Sequence, residues 1–382
     1  MGTINAMTKD VAIIGGSAAG FFTAYLLAGR GCRVRVYEAE ESIQASPRIL
    51  IVTGCMQDLM GSLCEGTVIN KICRFELFAD GRVATIYLRR PDLVIDRSQM
   101  IQTLAVEAEA NGSKILTGHH FLGLKPNGKG LTFTVSSNGS GELVEESATI
   151  LVGADGAVSK VAQSAGWPRQ LTVPLFQAIV ELPEDMPSDA TRVWFIPEET
   201  PYFYWLIPYS SKHGVVGLIG EEDHEVRGCL ERFLEKRGLE PIEFQNAKVP
   251  RYTQWIPNPR RIGESHVYLV GDAAGHVKVS TMGGIVTGFR GALGVAEAIL
   301  NGGSSREFRV LRRELDRHKL IRTVLNDFTQ ADYARLLDLL NPWVKRSLSV
   351  FSRDETSKLL VNAFLSQPRL LLLGLRALLT CK

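Results

Sequence analysis

Short apolar runs separated by glycine-rich turns mark the first forty residues of the chain. Val11–Ile14 is wholly apolar, which is typical of a parallel strand buried on both faces. A turn of small residues follows at positions 15–20, and Phe21–Arg30 has the apolar spacing of a helix. Arg33–Tyr37 is a second predicted strand. Together these segments predict a βαβ unit whose first turn is rich in glycine.

Two later apolar runs end in related turns. Residues 148–156 predict a strand that ends in Gly-Ala-Asp-Gly, and residues 267–275 predict a strand that ends in Gly-Asp. A glycine pair and a helix of small residues are predicted at 283–300. The chain between the two runs, about 166–254, is richer in aromatic residues and proline. It predicts β structure with one helix, at Val226–Arg237.

The composition is that of an ordinary globular protein. The chain has 382 residues, of which 45% are hydrophobic and 22% charged, and its formal net charge is +2. This balance gives no reason to expect nucleic acid as a partner. No apolar run reaches the ~18 residues of a transmembrane helix. The longest, Leu370–Leu379, is interrupted by Gly374 and Arg376. It predicts a helix packed on the body or, alternatively, a peripheral membrane contact through the C-terminal helices.

Cysteine usage and the start of the chain bear on the cellular setting. The six cysteines, at positions 32, 55, 64, 73, 229 and 381, include no CxxC pair. This spacing disfavours a metal site or a disulfide framework and favours a reducing, cytoplasmic setting. Met1–Asp10 lacks the basic start and apolar run of a signal peptide, and it predicts a frayed leader.

The first turn has the residues that a dinucleotide site requires. Gly15 permits a tight turn, and Gly20 permits close packing of the helix on the strand. The N–H groups at the start of the helix, at Ser17 and Ala18, are available to a pyrophosphate. Ser17 replaces the second glycine of the usual fingerprint, but serine is small and its hydroxyl can donate to a phosphate. Glu38 lies 18 positions after Gly20, where an acidic side chain accepts hydrogen bonds from an adenosine ribose.

The two later turns favour FAD over NAD. In this order, and followed by the glycine pair, they resemble the fingerprints of flavoproteins of the para-hydroxybenzoate hydroxylase type. The resemblance implies that the Gly-Asp aspartate binds the flavin ribityl chain. It also implies that the next helix points its N-terminus at the N1–C2 edge of the isoalloxazine, where it stabilises negative charge by roughly 0.3–1 kcal/mol. The implied cofactor contacts in these segments are Asp155, Gly271, Asp272, Gly283, Gly284 and Ile285.

Three further cofactor contacts rest on the same resemblance. Arg97 precedes a long predicted helix, at a place where the family has an arginine near the flavin. Arg48 lies ten positions after Glu38, where these flavoproteins often have an arginine near the FAD. Phe121 follows Gly118 on a short strand whose backbone, in the family, touches the adenine. The alternative for each arginine is that it lies on the surface and does not contact the cofactor.

The resemblance implies a fold and a division into domains. The expected fold is α/β, with a discontinuous Rossmann-like FAD-binding domain of the GxGxxG type, a smaller antiparallel β substrate domain and a C-terminal helical region. We assign residues 8–90, 97–165 and 255–300 to the FAD-binding domain. Residues 166–254 form the expected substrate domain, and residues 301–382 form the helical region.

Two segments are similar to geranylgeranyl reductase-like proteins. Residues 271–285 look like that family's Gly-Asp segment, although Val279 stands where the family often has proline. Phe203–Pro208, followed by glycines at 214 and 217, is similar to the family's Tyr-x-Trp-x-Phe-Pro element. The resemblance covers residues 8–300. It implies reduction of carbon–carbon double bonds in a hydrophobic, isoprenoid-like substrate by hydride from flavin N5.

The aromatic element is a candidate substrate wall. Phe203, Trp205 and Ile207 alternate with their neighbours, so on a strand they share one face. That face predicts either the lining of a hydrophobic pocket or an ordinary sheet core. The same six residues depart at one position from the Trp-x-Trp-x-Ile-Pro element of flavin-dependent halogenases. Arg48 and the segment after it resemble aromatic hydroxylases, so a monooxygenase or halogenase acting on an aromatic substrate is the alternative function.

Three residues are candidates for catalysis. His276 and Lys278 follow the Gly-Asp turn and are predicted either to face the flavin or to be structural. Cys55 lies near a place where the family has a cysteine-containing loop by the flavin, and it has the alternative of a small buried residue. The expected electron donor is NAD(P)H or a reduced carrier protein. NAD(P)H would bind transiently against the flavin, because the sequence has no evident second nucleotide-binding fold.

A basic helix is predicted at Ser305–Leu325. It presents either a solvated face or a surface for an electron donor or a lipid headgroup. Its basic residues are Arg306, Arg309, Arg312, Arg313, Arg317, Lys319 and Arg322.

Overall fold

Strands and helices fill most of the chain in the computed structural model, which describes residues 9–44, 48–128, 130–139 and 141–380. Cys381 and all but the last two residues of the predicted leader lie outside these ranges. The strands are β1 (Asp10–Ile14), β2 (Arg33–Tyr37), β3 (Ile49–Val52), β4 (Val68–Ala79), β5 (Arg82–Asp96), β6 (Lys114–Leu116), β7 (His119–Asn127), β8 (Gly130–Ser137), β9 (Leu143–Ala148), β10 (Ile150–Gly153), β11 (Thr172–Glu181), β12 (Ala190–Trp194), β13 (Tyr204–Pro208), β14 (His213–Ile219), β15 (Pro241–Pro250), β16 (Arg260–Ile262) and β17 (Ser265–Leu269).

The helices lie between these strands and, in the last fifth of the chain, after them. They are α1 (Ala18–Ala28), α2 (Cys55–Met60), α3 (Arg97–Ala110), α4 (Lys160–Ser164), α5 (Asp223–Arg237), α6 (Ile285–Leu300), α7 (Arg306–Asn326), α8 (Gln330–Asp338), α9 (Pro342–Val350), α10 (Thr356–Ser366) and α11 (Arg369–Thr380).

A six-stranded sheet carries the predicted βαβ unit. Its strand order is β16-β17-β10-β1-β2-β6, and β1 pairs in parallel with both β2 and β10. Helices α1, α3 and α6 pack together on one face, where the Phe22 and Phe289 rings lie 4.7 Å apart. The three-stranded sheet β7-β8-β9 covers the other face, and Phe133 meets Tyr37 there edge to face. The expected α/β fold is thereby confirmed.

A second sheet of eight strands stands beside the first, in the order β15-β11-β14-β13-β12-β4-β5-β3. One face packs on α5, and the other faces α7 and the loop that precedes α6. Tyr204 and Leu206 lie on the α5 side, whereas Trp205 and Ile207 lie on the other. The alternation predicted for the aromatic element is therefore confirmed.

The division between the two sheets differs from the predicted one. Strands β3, β4 and β5, from residues 49–96, pair within the second sheet, although 8–90 was the range predicted for the FAD-binding domain. The second sheet is also larger than expected, and β4 pairs with β12 in parallel. Pairing between strands more than a hundred residues apart, as between β4 and β12, leaves no periodic trace along the chain, so the sequence did not reveal it. The domain boundaries stay a prediction.

The C-terminal region is helical, as predicted, and it packs on α6 and on the second sheet. Helix α7 lies against α6, while α8 lies against β4 and β5. On α7, Arg312 pairs with Asp316, but Arg322 is buried and donates to the Pro201 carbonyl at 2.6 Å. The basic helix is therefore not uniformly solvated. Among the described residues, no helix combines the length and apolar character needed to cross a membrane.

The close contact between Gly217 and Trp205 generates a first prediction. An ideal Cβ at Gly217 would lie 2.5 Å from Trp205 Cζ2 and 2.7 Å from Gln177 Cβ. We expect Gly217→Ala to lower the free energy of unfolding by about 1–3 kcal/mol, because the added methyl overpacks a filled site. Urea denaturation monitored by fluorescence measures the free energy of unfolding of each variant. Gly66→Ala is the matched control, since nothing lies within 4 Å of its Cβ, and an equal loss in both variants would contradict the prediction.

Candidate functional site

The turn after β1 brings the chain very close to itself. Gly15 has a φ of +104°, and an ideal Cβ there would lie 2.6 Å from the Ala154 carbonyl oxygen. A Cβ on Gly20 would lie 2.2 Å from the Gly15 carbonyl oxygen. Only glycine fits either place, and the roles predicted for these two glycines follow directly from this geometry.

Ser17 begins α1 as its N-cap. Its hydroxyl oxygen accepts the Gly20 N–H at 3.1 Å, which replaces one hydrogen bond that the helix end lacks. The hydroxyl proton is not used in this bond and can still be donated. Serine in place of the usual glycine at position 17 therefore stabilises the end of the helix. Ser17 and Ala18 lie at the start of α1, where a phosphate would bind.

Glu38 stands at the end of β2 beside the same turn. Its carboxylate accepts the backbone N–H of Gly16 and, at 2.9 Å, that of Glu40. The carbonyl of Glu38 in turn accepts the His119 N–H at 2.8 Å, which brings β7 to this corner. The Phe121 side chain is buried between the sheets, so it is the backbone of β7 that is available for the predicted adenine contact.

Asp155 holds the second turn. One carboxylate oxygen accepts the Ser159 hydroxyl at 2.6 Å, and the other accepts the Val161 N–H at 3.0 Å. Burial raises the pKa of Asp155 and these hydrogen bonds lower it, but burial has the larger effect, so the net pKa lies above its usual value. The side chain fixes the turn before α4, and its predicted contact with FAD stays a prediction.

The third turn places Asp272 beside α1 and the start of α6. Gly271 has a φ of +61°, and a Cβ there would lie 2.8 Å from that of Ala19, so the turn packs directly on α1. The Asp272 side chain keeps surface exposed to solvent. Desolvation by the surrounding protein raises its pKa, whereas the positive charges of Arg97 and Arg48 lower it. We call the surface between this turn, the start of α1 and the start of α6 the groove.

Helix α6 begins at the same groove. Gly284 is its N-cap, and a Cβ on Gly284 would lie 3.3 Å from an Asp272 carboxylate oxygen. The glycine pair at 283–284 therefore leaves room between the Gly-Asp turn and the positive end of the α6 dipole. Ile285 is the first residue of the helix. The predicted contacts at 271–272 and 283–285 are brought together.

These residues fit FAD. The glycines at 15 and 20 leave a backbone cradle at the start of α1 for a pyrophosphate, and the groove continues past Asp272 to the start of α6. Burial lowers the pKa of Arg97 and of Arg48, whereas the negative charge of Asp272 raises the pKa of both. The Arg48 guanidinium also donates to the Asn246 carbonyl at 3.2 Å, which links the groove to β15. Two cations beside one carboxylate favour an anionic ligand.

A buried ion pair lies behind the groove. The Lys278 ammonium is 2.5 Å from the Asp354 carboxylate, and both side chains are only 5% exposed. The Thr53 hydroxyl donates to the other oxygen of Asp354. Burial raises the pKa of Asp354, but Lys278 and the hydrogen bonds outweigh it, so the net pKa lies below its usual range. Lys278 is therefore a positioning residue for the loop before α6.

Further buried polar groups surround this ion pair. Arg353 pairs with Asp92 of β5, and the Glu314 carboxylate of α7 accepts the Thr356 N–H. His318 lies between the hydroxyls of Ser280 and Thr356. Burial, with Lys278 nearby, lowers the pKa of His318 to about 3, so its ring is neutral. Sequence reasoning missed this cluster because residues 301–382 carry no motif.

His276 has a packing position. It is 1% exposed, its ring stacks on Trp255 at 5.5 Å, and a Cβ on Gly291 would lie 2.1 Å from its Nδ1. Nδ1 has no hydrogen-bond partner within the described ranges. Burial lowers the pKa of His276 to about 3. This geometry argues against the predicted direct part in catalysis.

Cys55 is the catalytic candidate that reaches an open space. It is half-buried at the start of α2, and with Asp354 and Val286 it lines a cleft of about 430 Å³. Val286 is the second residue of α6, so this cleft opens beside the end of the groove.

The aromatic element meets the same loop from the second sheet. Trp205 and Ile207 are buried in one cluster with Val277, Val279 and Met282, and Phe203 packs against it partly exposed. The Phe203 and Trp205 rings meet edge to face at 6.1 Å. The predicted substrate residues therefore adjoin the loop that leads to the start of α6.

Comparison with known proteins agrees with this geometry. The family model described as FAD binding domain matches residues 8–301. The chain is 27% identical to digeranylgeranylglycerophospholipid reductase 2 of Methanothermobacter thermautotrophicus, over 73% of this chain and 74% of that protein. The sequence resemblance to geranylgeranyl reductases is thereby confirmed.

Solved structures share the fold. A geranylgeranyl bacteriochlorophyll reductase-like protein of Thermoplasma acidophilum has a TM-score of 0.78 at 19% identity, covering 94% of this chain and 96% of its own. A flavin-dependent brominase has a TM-score of 0.67 at 15% identity, covering 93% of this chain and 94% of its own. At these identities the likeness shows the fold alone.

The position of Arg97 beside Asp272 generates a prediction for cofactor binding. We expect Arg97→Gln to weaken FAD binding about 10- to 100-fold, because a hydrogen bond to a charged group contributes about 1.5–3 kcal/mol. Titration of apoprotein with FAD, followed by flavin fluorescence, measures the affinity. Arg89→Gln removes the same charge from an exposed place on β5 and should leave it unchanged. Equal affinities of the two variants would contradict a cofactor contact for Arg97.

The buried ion pair generates a prediction with a pH signature. We expect Asp354→Asn to lower the free energy of unfolding by about 3–5 kcal/mol near pH 7, because Lys278 is left buried without its counterion. Glu145→Gln, which breaks the exposed Lys125–Glu145 pair, should cost less than about 1 kcal/mol.

The sign of the pH effect follows from the lowered pKa of Asp354. A carboxyl group whose pKa is depressed by folding stabilises the protein above its unfolded pKa of about 4, and that contribution is lost as pH falls through the folded value. The difference between wild type and Asp354→Asn should therefore shrink below about pH 4. Both proteins retain the buried His276, so its titration cancels in the difference, whereas Asp354 raises the pKa of His318 and the titration of His318 therefore differs between them. A gap independent of pH would contradict an ionised Asp354.

Proposed function

The chain belongs to the FAD binding domain family and is an FAD-dependent oxidoreductase, and we propose that it reduces carbon–carbon double bonds of a hydrophobic, isoprenoid-like substrate. Bound FAD supplies the hydride for this reaction from flavin N5. The observation that carries the proposal is the apolar face of β13, which meets the loop before α6 at Met282.

That face gives the substrate an apolar wall. Phe203 keeps part of its ring exposed, while Trp205 and Ile207 are buried behind it. An isoprenoid chain offers no hydrogen-bonding groups along its length, so it binds by removing apolar surface from water. The reductase of digeranylgeranylglycerophospholipid that this chain resembles supports the same substrate class.

The other residues of the site bind the cofactor and orient the loop before α6. Arg97, Arg48 and Asp272 hold the cofactor in the groove, and the N-terminus of α6 stabilises negative charge at its inner end. Lys278, through Asp354, keeps the loop before α6 in place. Cys55 faces the cleft and is our candidate for direct contact with substrate.

The electron donor and the cellular setting are part of the proposal. We propose NAD(P)H, bound transiently, or a reduced carrier protein as donor. Cysteines 32, 55, 64, 73 and 229 are free thiols, which is consistent with the reducing cytoplasm.

An oxygen-dependent function is the second candidate. The brominase with the same fold, and the single difference between Phe203–Pro208 and the halogenase element, favour a monooxygenase or halogenase acting on an aromatic substrate. A halogenase also needs a lysine with an available ammonium by its tunnel. Lys278, the buried lysine beside the groove, already pairs with Asp354, so this observation favours the reductase.

Anaerobic reoxidation tests the proposed reductase. Reduced protein is mixed with polyprenyl lipids of several chain lengths, and the oxidised flavin spectrum is followed. We expect rapid reoxidation by an unsaturated chain and none by the saturated chain of the same length, because only the former has a double bond to reduce. Phe203→Ala should raise the substrate concentration needed by about fivefold or more, since an apolar contact of about 1 kcal/mol is lost.

Phe244→Ala, which removes a partly exposed phenylalanine from β15 of the same sheet, is the matched control and should have no effect. Failure of every prenyl chain and quinone to reoxidise the flavin would refute the reductase. A substrate-dependent spectral transient on mixing reduced protein with oxygen, followed by a hydroxylated or halogenated product, would establish the second candidate.

A further inference from the structure

Helix α11 buries one face and exposes a continuous apolar one. Leu373 and Ala377 are buried with Tyr333 and Leu337 of α8. On the opposite side, Leu372 is 64% exposed and Leu379 is 83% exposed. At 3.6 residues per turn the exposed leucines occupy an arc of about 120°. This leucine ridge consists of Leu371, Leu372, Leu375, Leu378 and Leu379.

Three arginines border the ridge. Arg369 and Arg376 are seven residues apart on α11, so they lie on one side of the helix, between the ridge and the buried face. With Arg335 of α8 they line a pocket of about 260 Å³, whose other walls are Leu372 and Leu373. Arg376 is 3.9 Å from one carboxylate oxygen of Asp332, whose other oxygen accepts hydrogen bonds from the N–H and the hydroxyl of Thr329. Arg335, Arg369 and Arg376 thus bring three cations to one pocket beside the ridge.

The two preceding helices also expose large apolar side chains. Trp343 in the first turn of α9 is 67% exposed, and Leu365 in the last turn of α10 is 78% exposed. The Asn341 side chain donates to the Ser366 carbonyl at 3.3 Å, so these two turns are neighbours. Helix α11 begins three residues after Ser366. An exposed tryptophan beside leucines and arginines is the composition of a surface that lies at a membrane interface.

We propose that the leucine ridge and the arginine pocket dock this protein on the surface of a membrane that contains anionic phospholipids. The leucines enter the boundary between headgroups and acyl chains, while Arg335, Arg369 and Arg376 bind a lipid phosphate. The 12 described residues of α11 span about 18 Å, and the proposal places them along the interface.

Charge complementarity selects a lipid surface as the occupant. A partner protein would have to present both an apolar groove and acidic groups at one spacing. An anionic bilayer presents phosphates directly above acyl chains over its whole area, which matches a ridge with arginines along one side. The docking requires no turnover, so it can be tested separately from the proposed reductase function.

Vesicle co-sedimentation tests the proposal with the full-length, FAD-loaded protein. Vesicles of phosphatidylcholine alone are compared with vesicles that contain phosphatidylglycerol, and the bound fraction is measured against lipid concentration. We expect binding to the anionic vesicles, with a blue shift in fluorescence that is lost in Trp343→Phe. The triple variant R335Q/R369Q/R376Q should bind at least about tenfold more weakly, since each arginine near the surface contributes about fivefold.

Two further variants make the comparison specific. R30Q/R89Q/R261Q removes the same charge from exposed places elsewhere and should bind like wild type within about twofold. L372Q/L375Q/L379Q should bind weakly and show no blue shift. Thermal melting and flavin content establish that each variant is folded. Inorganic phosphate at millimolar concentration should not displace the protein, because the ridge as well as the pocket contributes.

Four outcomes would overturn the proposal. The first is equal binding of wild type to neutral and anionic vesicles, and the second is equal binding of the two arginine triple variants. The third is displacement by free phosphate alone, which would make the pocket a site for a soluble anion. A dimer in light scattering that L372Q/L375Q/L379Q abolishes, without any vesicle binding, would assign the ridge to a second copy of the chain.

Discussion

The buried ion pair between Lys278 and Asp354 is the constraint on which the candidate site depends. Either charge alone, at 5% exposure, would carry a large desolvation penalty, so each side chain can stay in place only with the other present. The pair joins the loop before α6 to a segment 76 residues later, and the Thr53 hydroxyl adds the loop that precedes Cys55. Three distant parts of the chain are thus fixed around the inner end of one groove.

This constraint makes the C-terminal helices part of the site. Arg353 and Thr356, on either side of Asp354, bond to Asp92 and to Glu314, so the segment is held by β5 and α7 as well. Charges buried in this way seldom add net stability compared with apolar residues of the same shape. Their benefit is geometric, because only one arrangement of the loop satisfies them all, and the start of α6 must be held in one arrangement to stabilise charge.

The parts of the site that the sequence predicted are local. The sequence revealed Gly15, Gly20 and Gly284 because places too close for a Cβ require glycine, and these glycines lie within short motifs. It revealed the two faces of β13 because side chains alternate along a strand. Asp354 could not be found, since its partners come from positions 53 and 278 and an isolated aspartate in a helical region has no pattern. The pairing of β4 with β12 in the second sheet was not evident from the sequence for the same reason. Burial of His276 against Gly291 also depends on a neighbour that no spacing reveals.

Helix α10 connects the site to the proposed membrane surface. It begins at Thr356, two residues after Asp354, and ends at Ser366 beside the first turn of α9. Its 11 residues span about 16 Å, so the cleft beside Cys55 and the exposed Leu365 lie one short helix apart. A hydrophobic chain drawn from the bilayer would need to cross about that distance to reach the groove. An isoprenoid of several units is long enough to do so while its far end remains in the membrane, whereas a small aromatic substrate is not. If both proposals hold, α10 sets the distance that a lipid-like substrate spans between the bilayer and the groove.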